Sequence, residues 1–357
     1  MKVYTKYIIF NFLKSFFNVF LIMGSLVFIL NLLNEIVFFE EFKSKNYLII
    51  YLTLLNSPSL IFEMLPFIFL ISTQLFFVNL FKDNQIEIFK YSGLRNSKII
   101  RIITFFSFFL GLFAIIFFYN ISANLKNFYL DIKSNYTTDD KYLAIITNNG
   151  LWIKDKVDNK ILIVNSLKIE NNLLINSFIT EFDSNYDIIR NIKSKKIDIQ
   201  NNEWLIYDAT IFIGNTKSTK ELIKLYSNFN YDKVKKLFSN LSSLSLIELF
   251  KLKKNYSSLG YSVIEINTYI YKLFSYPIYY LLMVILSSLI MFNSKKIVGN
   301  TFKISLGLFL SVIIYYINNL FYILASSERI SLELSISLPL AILILLNFTI
   351  SRKINEK

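Results

Sequence analysis

Long apolar stretches and one long polar stretch divide this chain, and the pattern predicts a membrane protein with an inserted domain. A hydrocarbon core about 30 Å thick is crossed by roughly 20 apolar helical residues. Windows of about that length predict six transmembrane helices, over residues 16–39, 64–81, 99–121, 268–292, 301–324 and 333–350. The polar stretch, residues 124–267, lies between the third window and the fourth.

The polar stretch has the rhythm of β-structure. Short runs alternate apolar and polar residues and are separated by turn signals such as Asn148-Asn149-Gly150. They predict eight strands, over residues 142–147, 151–154, 160–165, 177–182, 187–192, 196–200, 203–206 and 210–214. This spacing favours a sandwich or jelly roll. Residues 244–259 then predict an amphipathic helix, with Ser242 or Ser243 as its cap and Gly260 as its stop.

The basic residues of the short loops indicate how the helices are oriented. Lys and Arg concentrate before the first window, between the second and third, between the fourth and fifth, and at the C-terminus. The remaining short loops carry Lys43, Lys45 and Arg329, offset by Glu40, Glu41 and Glu328. Because positive charge favours the cytoplasmic side, both termini are predicted inside and the β-domain outside. The net charge of +13 is then mostly an orientation signal, and nucleic acid is not implied as a partner.

The chain therefore divides into four predicted parts. These are transmembrane helices one to three in 1–123 with a short cytoplasmic helix at about 83–93, a β-jelly roll in 124–241, an amphipathic connecting helix in 242–267, and transmembrane helices four to six in 268–357. The predicted fold class is an α-helical membrane protein with six transmembrane helices, three on each side of an inserted all-β, jelly-roll-like periplasmic domain.

Composition excludes most catalytic mechanisms. The chain is 54% hydrophobic and contains no His and no Cys, which removes disulfides, thiolate nucleophiles, imidazole bases and the usual zinc or haem ligands. It has eight Gly and no Gly-Lys dipeptide, so the phosphate-binding G-x-x-x-x-G-K-[ST] loop cannot be formed. We expect no metal, no bound cofactor and no enzyme activity, and any ATP must be used by another chain.

The cytoplasmic loop between the second and third windows contains an amphipathic segment. Ile86, Phe89 and Lys90 fall on one helical face, and Gly93 ends the helix. Apolar anchors with a charged rim are typical of a helix that docks in a groove of a partner. An ordinary basic loop with a lipid-facing helix is the alternative.

A series of short motifs, in order along nearly the whole chain, resembles one transporter family. They are Tyr7-Ile8-Ile9, Leu32-Leu33-Asn34-Glu35-Ile36, Ser57-Pro58, Leu65-Pro66-Phe67, Tyr91-Ser92-Gly93-Leu94, Gly150-Leu151-Trp152-Ile153-Lys154-Asp155, Trp204-Leu205-Ile206-Tyr207-Asp208-Ala209, Leu244-Ser245-Leu246-Ile247-Glu248-Leu249, Lys272-Leu273 with Pro277, and Tyr315-Tyr316. With the predicted topology, they resemble the LptF/LptG permeases of lipopolysaccharide export, LptG more than LptF.

The resemblance implies a function and a set of partners. Such a permease extracts lipopolysaccharide from the inner membrane and passes it to a periplasmic bridge. It pairs with an LptF-like second permease, an LptB-like ATPase dimer that binds ATP and Mg²⁺, and an LptC-like single-span jelly-roll protein, all among membrane lipids. The alternative is a non-transporting membrane scaffold whose periplasmic β-domain binds a partner protein. A secondary transporter would need internal repeats and mid-span acids, and neither is seen.

The resemblance also assigns roles to residues. The coupling helix that contacts the ATPase would include Asp83, Gln85, Ile86, Glu87, Phe89, Tyr91 and Gly93, and the jelly-roll motif Gly150, Trp152, Asp155, Trp204 and Asp208. The family usually has a glutamate at the position of Gln85. Either Glu87 takes over its contact with the ATPase, or Gln85 makes a neutral hydrogen bond.

A phosphorylated lipid needs cationic partners near the outer surface of the membrane. The candidates are Lys43, Lys45, Lys272 and Arg329, together with Asn31, which stands where some family members have a basic residue. Each cation can instead be a residue whose side chain extends to the membrane interface.

Overall fold

A computed structural model of the chain describes residues 3–40, 46–134, 136, 151–157, 159–170, 172–214, 216–231, 234, 240–258, 262–293 and 299–355. The chain forms two compact units. The helical unit comprises Met1–Lys126 and Ile264–Lys357, and the β unit comprises Asn127–Val263. The predicted strand at 142–147, together with Lys43, Lys45, Gly150 and Gly260, lies outside the described residues.

The helices confirm the apolar pattern of the sequence. Their bounds are α1 (Val3–Phe38), α2 (Asn46–Lys82), α3 (Gln85–Tyr91), α4 (Asn96–Phe113), α5 (Asn120–Ser134), α6 (Leu246–Ser258), α7 (Ile264–Asn293), α8 (Asn300–Ser326) and α9 (Leu332–Asn355). A π-helical turn, Ala114–Tyr119, joins α4 to α5. Within the described residues, six helical segments are long and apolar enough to cross a membrane, as predicted.

The core of the helical unit is built around α2 and α7, which are mostly buried, whereas α1, α8 and α9 leave most of their surface exposed. Aromatic rings fill the contact between the two central helices. The rings of Phe69 and Tyr280 stack with their centroids 4.7 Å apart, and Phe62 lies 5.6 Å from Tyr276. Two central helices and exposed outer ones leave broad apolar faces for lipid or for neighbouring subunits.

Small residues let these helices approach closely. A Cβ added to Gly111 on α4 would lie 3.1 Å from the Cα of Pro277 on α7. At Gly307 on α8, an added Cβ would lie 2.1 Å from Nε2 of Gln74. That Gln74 amide is buried on α2 and donates a 2.9 Å hydrogen bond to the carbonyl of Lys303.

The described strands of the β unit form one antiparallel sheet in sequential order, β1-β2-β3-β4-β5-β6. Their bounds are β1 (Leu151–Val157), β2 (Lys160–Glu170), β3 (Leu173–Phe182), β4 (Ile188–Asp198), β5 (Glu203–Ile213) and β6 (Thr216–Tyr226). The predicted strands 187–192 and 196–200 are one strand, β4, and 203–206 and 210–214 are one strand, β5. An inserted all-β domain between the third and fourth spans is confirmed.

A crease crosses three adjacent strands, and it explains why two of them were predicted as separate pieces. In β5, Trp204 and Ile206 are buried, then Tyr207 and Asp208 are exposed, and burial resumes at Ala209. Asp208 has a left-handed backbone with φ 47°. The alternation of buried and exposed positions thus shifts by one residue within a continuous strand.

In the neighbouring strands, the alternation of buried and exposed residues is interrupted at the same row of the sheet. Asn176 in β3 has φ 50°, and in β4 burial passes from Ser194 to Ile197. The hydroxyl of Ser194 donates to the carbonyl oxygens of Tyr207 and Lys196, at 2.6 and 2.9 Å. We call the row of Asn176, Lys195 and Asp208 the crease. Side-chain hydroxyls there bond to carbonyl oxygens at the interruption, so buried backbone groups stay satisfied.

The connecting helix differs in its cap from the sequence prediction. Ser242 and Ser243 lie in a short 3-10 turn, Leu241–Ser243, and α6 begins at Leu246. The backbone N–H of Glu248 donates to Oγ of Ser245 at 3.4 Å, and Oε2 of Glu248 accepts from the Ser245 backbone N–H at 3.1 Å. This reciprocal arrangement is a capping box, so Ser245 is the cap.

Candidate functional site

The short helix α3 is held between two left-handed residues. Asn84, before its first turn, has φ 53°, and Gly93, after its last, has φ 75°. The backbone N–H of Gly93 donates to Lys90 at 2.9 Å, and that of Leu94 donates to Phe89 at 2.8 Å. This pair of bonds is a Schellman motif, and its left-handed position favours glycine. The sequence therefore fixes both the length of α3 and the direction in which the chain leaves it.

The two faces of α3 have different surroundings. Ile86 is 5% exposed, whereas Ile88 is 59% and Tyr91 is 90% exposed. The ring of Phe89 is half-buried and packs edge-to-face on Tyr7 of α1, with centroids 6.2 Å apart. The apolar residues that remain available to a partner are therefore Ile88 and Tyr91, while Ile86 anchors the helix in its own chain.

The side chain of Gln85 is occupied within the chain. Its Oε1 accepts a 2.9 Å hydrogen bond from the hydroxyl of Tyr7, and its Nε2 donates to Oδ2 of Asp83 at 3.1 Å. Glu87, two residues on, is exposed on the outer side of α3. The carboxylate of Glu87 is thus the one that faces outward from this helix.

Asn31 is buried between the first two spans. It is 4% exposed, its Nδ2 donates to the carbonyl of Thr53 at 3.1 Å, and its Oδ1 accepts from Nδ2 of Asn56 at the same distance. Both sides of the amide are therefore used for packing α1 against α2. This position does not present a polar group to a lipid outside the helix pair.

Lys272 lies in a charged and aromatic cluster of the helical unit. Its Nζ is 4.3 Å from the centre of the Tyr322 ring, and Glu63 on α2 interacts electrostatically with it. The adjoining pocket, lined by Lys272, Asn318 and Ser335 among others, has a volume of only about 20 Å³. Such a pocket admits a water molecule or two and not a lipid head group.

Glu63 brings in a second cation that the sequence analysis missed. Lys126 on α5 also interacts electrostatically with Glu63 and is half-buried. In the sequence, Lys126 is a single lysine just after the third apolar window. Sequence spacing alone does not show that it lies near Glu63 or Lys272. We call Glu63, Lys126 and Lys272 the charge cluster.

The remaining cation candidates are not part of that cluster. Arg329 follows the C-terminus of α8 and is exposed; its backbone N–H bonds to the carbonyl of Leu324 at 2.9 Å. Lys43 and Lys45 lie outside the described residues. Asn31, Lys272 and Arg329 are thus in three different settings: a helix interface, the charge cluster and an exposed loop.

In the β unit, Asp155 ties the first strand to the segment that follows the last. It is buried on β1, and its carboxylate accepts hydrogen bonds from the hydroxyl of Ser227 at 2.7 Å and from the backbone and side-chain amides of Asn228 at 2.8 and 3.0 Å. Because β1 and β6 are the two edge strands of the described sheet and Ser227 directly follows β6, these bonds link β1 to the segment after β6.

The two tryptophans of the predicted jelly-roll motif have opposite environments. Trp204 is fully buried, and its indole N–H donates to the carbonyl of Phe229 at 2.7 Å, whereas Trp152 is 52% exposed on the other face of the sheet. Asp208 belongs to the crease, and Gly150 lies outside the described residues. Asp155, Trp204 and Asp208 therefore shape the β unit, and Trp152 contributes to its surface.

Metal chemistry has no candidate in the part of the chain that the structure describes. No group of three His, Cys, Asp or Glu side chains is placed there to hold an ion. The features that stand out in the described residues are instead the short helix α3, the charge cluster and the antiparallel sheet of the β unit.

Comparison with known proteins agrees with this arrangement. No curated protein matches the chain significantly. The family model of the lipopolysaccharide export system permease LptF/LptG matches residues 6–353, nearly the full length of 357 residues. The match is to the family as a whole, so the preference for LptG over LptF stays a prediction. From its matched length, its six spans and its inserted β-sheet, the chain belongs to the LptF/LptG family of lipopolysaccharide export permeases.

Proposed function

We propose that this chain is one permease subunit of an exporter that extracts lipopolysaccharide from the inner membrane and passes it to a periplasmic bridge, driven by ATP hydrolysis on a separate subunit. The observation that carries the ATP-driven part is the exposed outer face of α3. In a chain without a phosphate-binding loop, such a face is the means by which an external ATPase acts.

The two sides of α3 suit it for transmitting force. Ile86 and Phe89 hold the helix to its own chain, while Glu87, Ile88 and Tyr91 are exposed to a partner. A groove that closes on the outer face would move α3 as a body, because its ends are fixed at Asn84 and Gly93. Tyr7 then carries the displacement to the first span through its contacts with Gln85 and Phe89.

Glu87 is the residue proposed to contact the ATPase. The carbonyl and amide of Gln85 already bond to Tyr7 and Asp83, so a contact through Gln85 would first break these bonds. Glu87 has no such cost, and its charge suits an Arg or Lys at the rim of a groove. Of the two possibilities left by the sequence, the side-chain geometry supports Glu87.

At the other end of the spans, the charge cluster is proposed to meet the lipid phosphates. Lys126 and Lys272 both face Glu63, which is exposed on the surface of α2. An arriving phosphate would supply a second anion to the two lysines. Two cations that already lie within electrostatic reach of one carboxylate would then bind it without first being gathered from separate positions.

The proposed setting follows from charge and family. The chain would lie in the inner membrane with both termini in the cytoplasm and its β unit in the periplasm. Its partners would be an LptB-like ATPase dimer bound at α3, an LptF-like second permease, and an LptC-like single-span jelly-roll protein. No cofactor would bind to the chain itself, since ATP and Mg²⁺ belong to the ATPase.

The test is co-purification followed by reconstitution. The tagged full-length chain, extracted in mild detergent, is expected to bring with it an ATPase, a second six-span chain and a single-span protein. In nanodiscs, the complex should hydrolyse ATP and release lipopolysaccharide to a soluble acceptor. Ile88→Glu is expected to lower ATPase retention at least about tenfold, because it buries a charge in the proposed groove.

Lys220→Ala provides the matched control, since Lys220 is exposed on β6. It should retain the ATPase fully. A wild-type chain that purifies alone, as a homogeneous monomer, would overturn the proposal. So would an Ile88→Glu variant that keeps its ATPase and its transport rate.

A further inference from the structure

A polar cleft of about 310 Å³ lies between α1 and α2, beside α3. Its polar lining includes Asn11, Lys14, Asn18, Asn79, Lys82 and Asp83. All of its lining residues belong to the helical unit. Its size is within the range of about 300 to 1,000 Å³ of small-molecule sites in proteins.

The polar residues of α1 form one stripe in an otherwise apolar span. Asn11, Lys14 and Asn18 are spaced three and four residues apart, so they share one helical face over about 10 Å. Phe10 and Phe17, next to them in sequence, are exposed as lipid-facing residues would be. Polar groups at such depth in a span are costly unless something polar meets them.

Lysine side chains alone could satisfy that need by extending to the interface, but the asparagines cannot. The amides of Asn18 and Asn79 are short and exposed in the cleft. Among the described residues, neither amide has a hydrogen-bond partner. The cleft therefore holds several hydrogen-bond donors that would otherwise face the hydrocarbon of the bilayer.

The charge of the cleft is positive. Lys14 and Lys82 have no ion pair or hydrogen bond with any side chain that the structure describes. The one acid, Asp83, accepts a hydrogen bond from Gln85 at 3.1 Å. The cleft thus has two cations and several amide donors but one carboxylate. Such a lining suits an anion with many acceptor oxygens, such as a phosphodiester.

We propose that this cleft binds the phosphate head group of an anionic phospholipid from the cytoplasmic leaflet, with the acyl chains running along the apolar surface of α1. Lys14 and Lys82 neutralise the phosphate, and Asn11, Asn18 and Asn79 donate to its ester and glycerol oxygens. Basic pockets between transmembrane helices on the cytoplasmic side are suited to such head groups. The leaflet rests on the proposed orientation; the binding chemistry does not.

The location gives this lipid a regulatory consequence. Gln85, the first residue of α3, also lines the cleft and bonds to both Tyr7 and Asp83. A bound phosphate would draw on the same donors and charges that position α3. The lipid would therefore stabilise one placement of the docking helix, separately from the lipid that is exported.

The experiment is a lipid titration of the purified full-length protein, read by native mass spectrometry. Phosphatidylglycerol, phosphatidylcholine and inorganic phosphate are the three probes. Phosphatidylglycerol is expected to bind about tenfold more tightly than phosphatidylcholine, and the variant Lys14→Gln/Lys82→Gln should lose that preference. The matched control Lys6→Gln/Lys98→Gln, which removes two cations outside the cleft, should keep it.

Folding is checked independently by the charge-conserving variant Lys14→Arg/Lys82→Arg, which should bind phosphatidylglycerol as the wild type does. In the wild type, added salt should weaken phosphatidylglycerol binding and leave phosphatidylcholine unchanged. An undiminished preference in the glutamine pair would overturn the proposal. Full displacement by millimolar inorganic phosphate would also overturn it, by making the cleft a site for soluble anions. Neither result depends on an ATPase, so the exporter proposal stands or fails by its own test.

Discussion

The hydroxyl of Tyr7 donates a 2.9 Å hydrogen bond to Oε1 of Gln85, joining the first turns of α1 to the first residue of α3. The ring of the same tyrosine packs on Phe89, one helical turn further along. A single side chain thus contacts two turns of α3, and in the proposed mechanism it passes movement of that helix to the first span.

Removing the hydroxyl should weaken the link between ATP use and transport. Tyr7→Phe keeps the ring contact and loses one hydrogen bond of about 0.5–1.5 kcal/mol, so we expect lipopolysaccharide released per ATP to fall about two- to tenfold. Tyr7→Ala should reduce it further. Tyr51→Phe, which removes an exposed hydroxyl on α2, should have no effect. Equal coupling ratios in Tyr7→Phe and the wild type would contradict this route.

Glu87 should matter more than Gln85 for binding the ATPase. Glu87→Gln is expected to weaken the association about two- to tenfold, since it removes an exposed charge, while Gln85→Ala should change it less. The measurement is the dissociation constant of the ATPase for the permease in nanodiscs. Unchanged coupled transport in Gln85→Ala/Glu87→Ala would show that α3 is not the docking helix.

Asp155 should be the main polar determinant of stability in the β unit. Asp155→Ala removes the acceptor of the Ser227 hydroxyl and of the Asn228 backbone N–H, and we expect it to lower the free energy of unfolding by about 3 kcal/mol. The chain has two tryptophans, so denaturation can be followed by the fluorescence of Trp204 in a Trp152→Phe background. Glu221→Ala, at an exposed site on β6, should cost little. Equal stabilities would argue that the sheet edges are held by other contacts.

The β unit should lose stability in mild acid through Glu181. Burial alone would raise the pKa of this carboxyl, but Lys160 at 2.8 Å and the bonded Arg190 outweigh it and hold the pKa below its ordinary value of 4.5. A lowered pKa means that the ionised carboxylate stabilises the folded state above about pH 4.5, and that this contribution is lost as pH falls through the folded pKa. Glu181→Gln should therefore be less stable at pH 7 and show a flatter dependence on pH between about 5 and 3.

Glu203→Gln is the control for that measurement. Glu203 also has a lysine partner, Lys224 at 3.2 Å, but both side chains are more than half exposed, so the pair contributes little. Unfolding free energies of the three proteins across pH 3 to 7 decide the matter. Parallel curves for Glu181→Gln and the wild type would exclude the pairing of Glu181 with Lys160 and Arg190 as the source of acid sensitivity.

Much of the fold can be predicted from the sequence because its apolar stretches are long and clearly separated. Six apolar windows in a chain with few mid-span charges leave little choice of topology, and Gly93 marks the end of α3 by its backbone freedom. Strand β6 escaped prediction because Thr216–Tyr226 is almost wholly exposed and has no apolar alternation. This strand is defined by its pairing with β5, and the local sequence pattern does not show that pairing.

The candidate site was less accessible to sequence reasoning, since its residues meet through space. Asn31 was a candidate lipid contact from the resemblance, but its side-chain amide bonds to Thr53 and Asn56 on the next helix. Lys126 and Lys272 are 146 positions apart in the sequence and share Glu63 only once α2, α5 and α7 are packed. The exposed face of α3 likewise depends on tertiary packing, because contacts with Tyr7 and the transmembrane helices decide which of its apolar residues are buried.

The crease has a consequence for how this domain tolerates change in length. In β5, buried and exposed side chains alternate on each side of Asp208, but the two alternations are offset by one residue. The left-handed backbone of Asp208 lets one strand contain both. Deleting that one residue would leave Trp204, Ile206, Ala209 and Ile211 on one side of a regular pleat, but β4 would keep its extra residue at Lys195, so one half of β5 would pair with β4 one residue out of register. A domain built this way accepts substitutions on either half far more readily than it accepts the loss of a single residue between them.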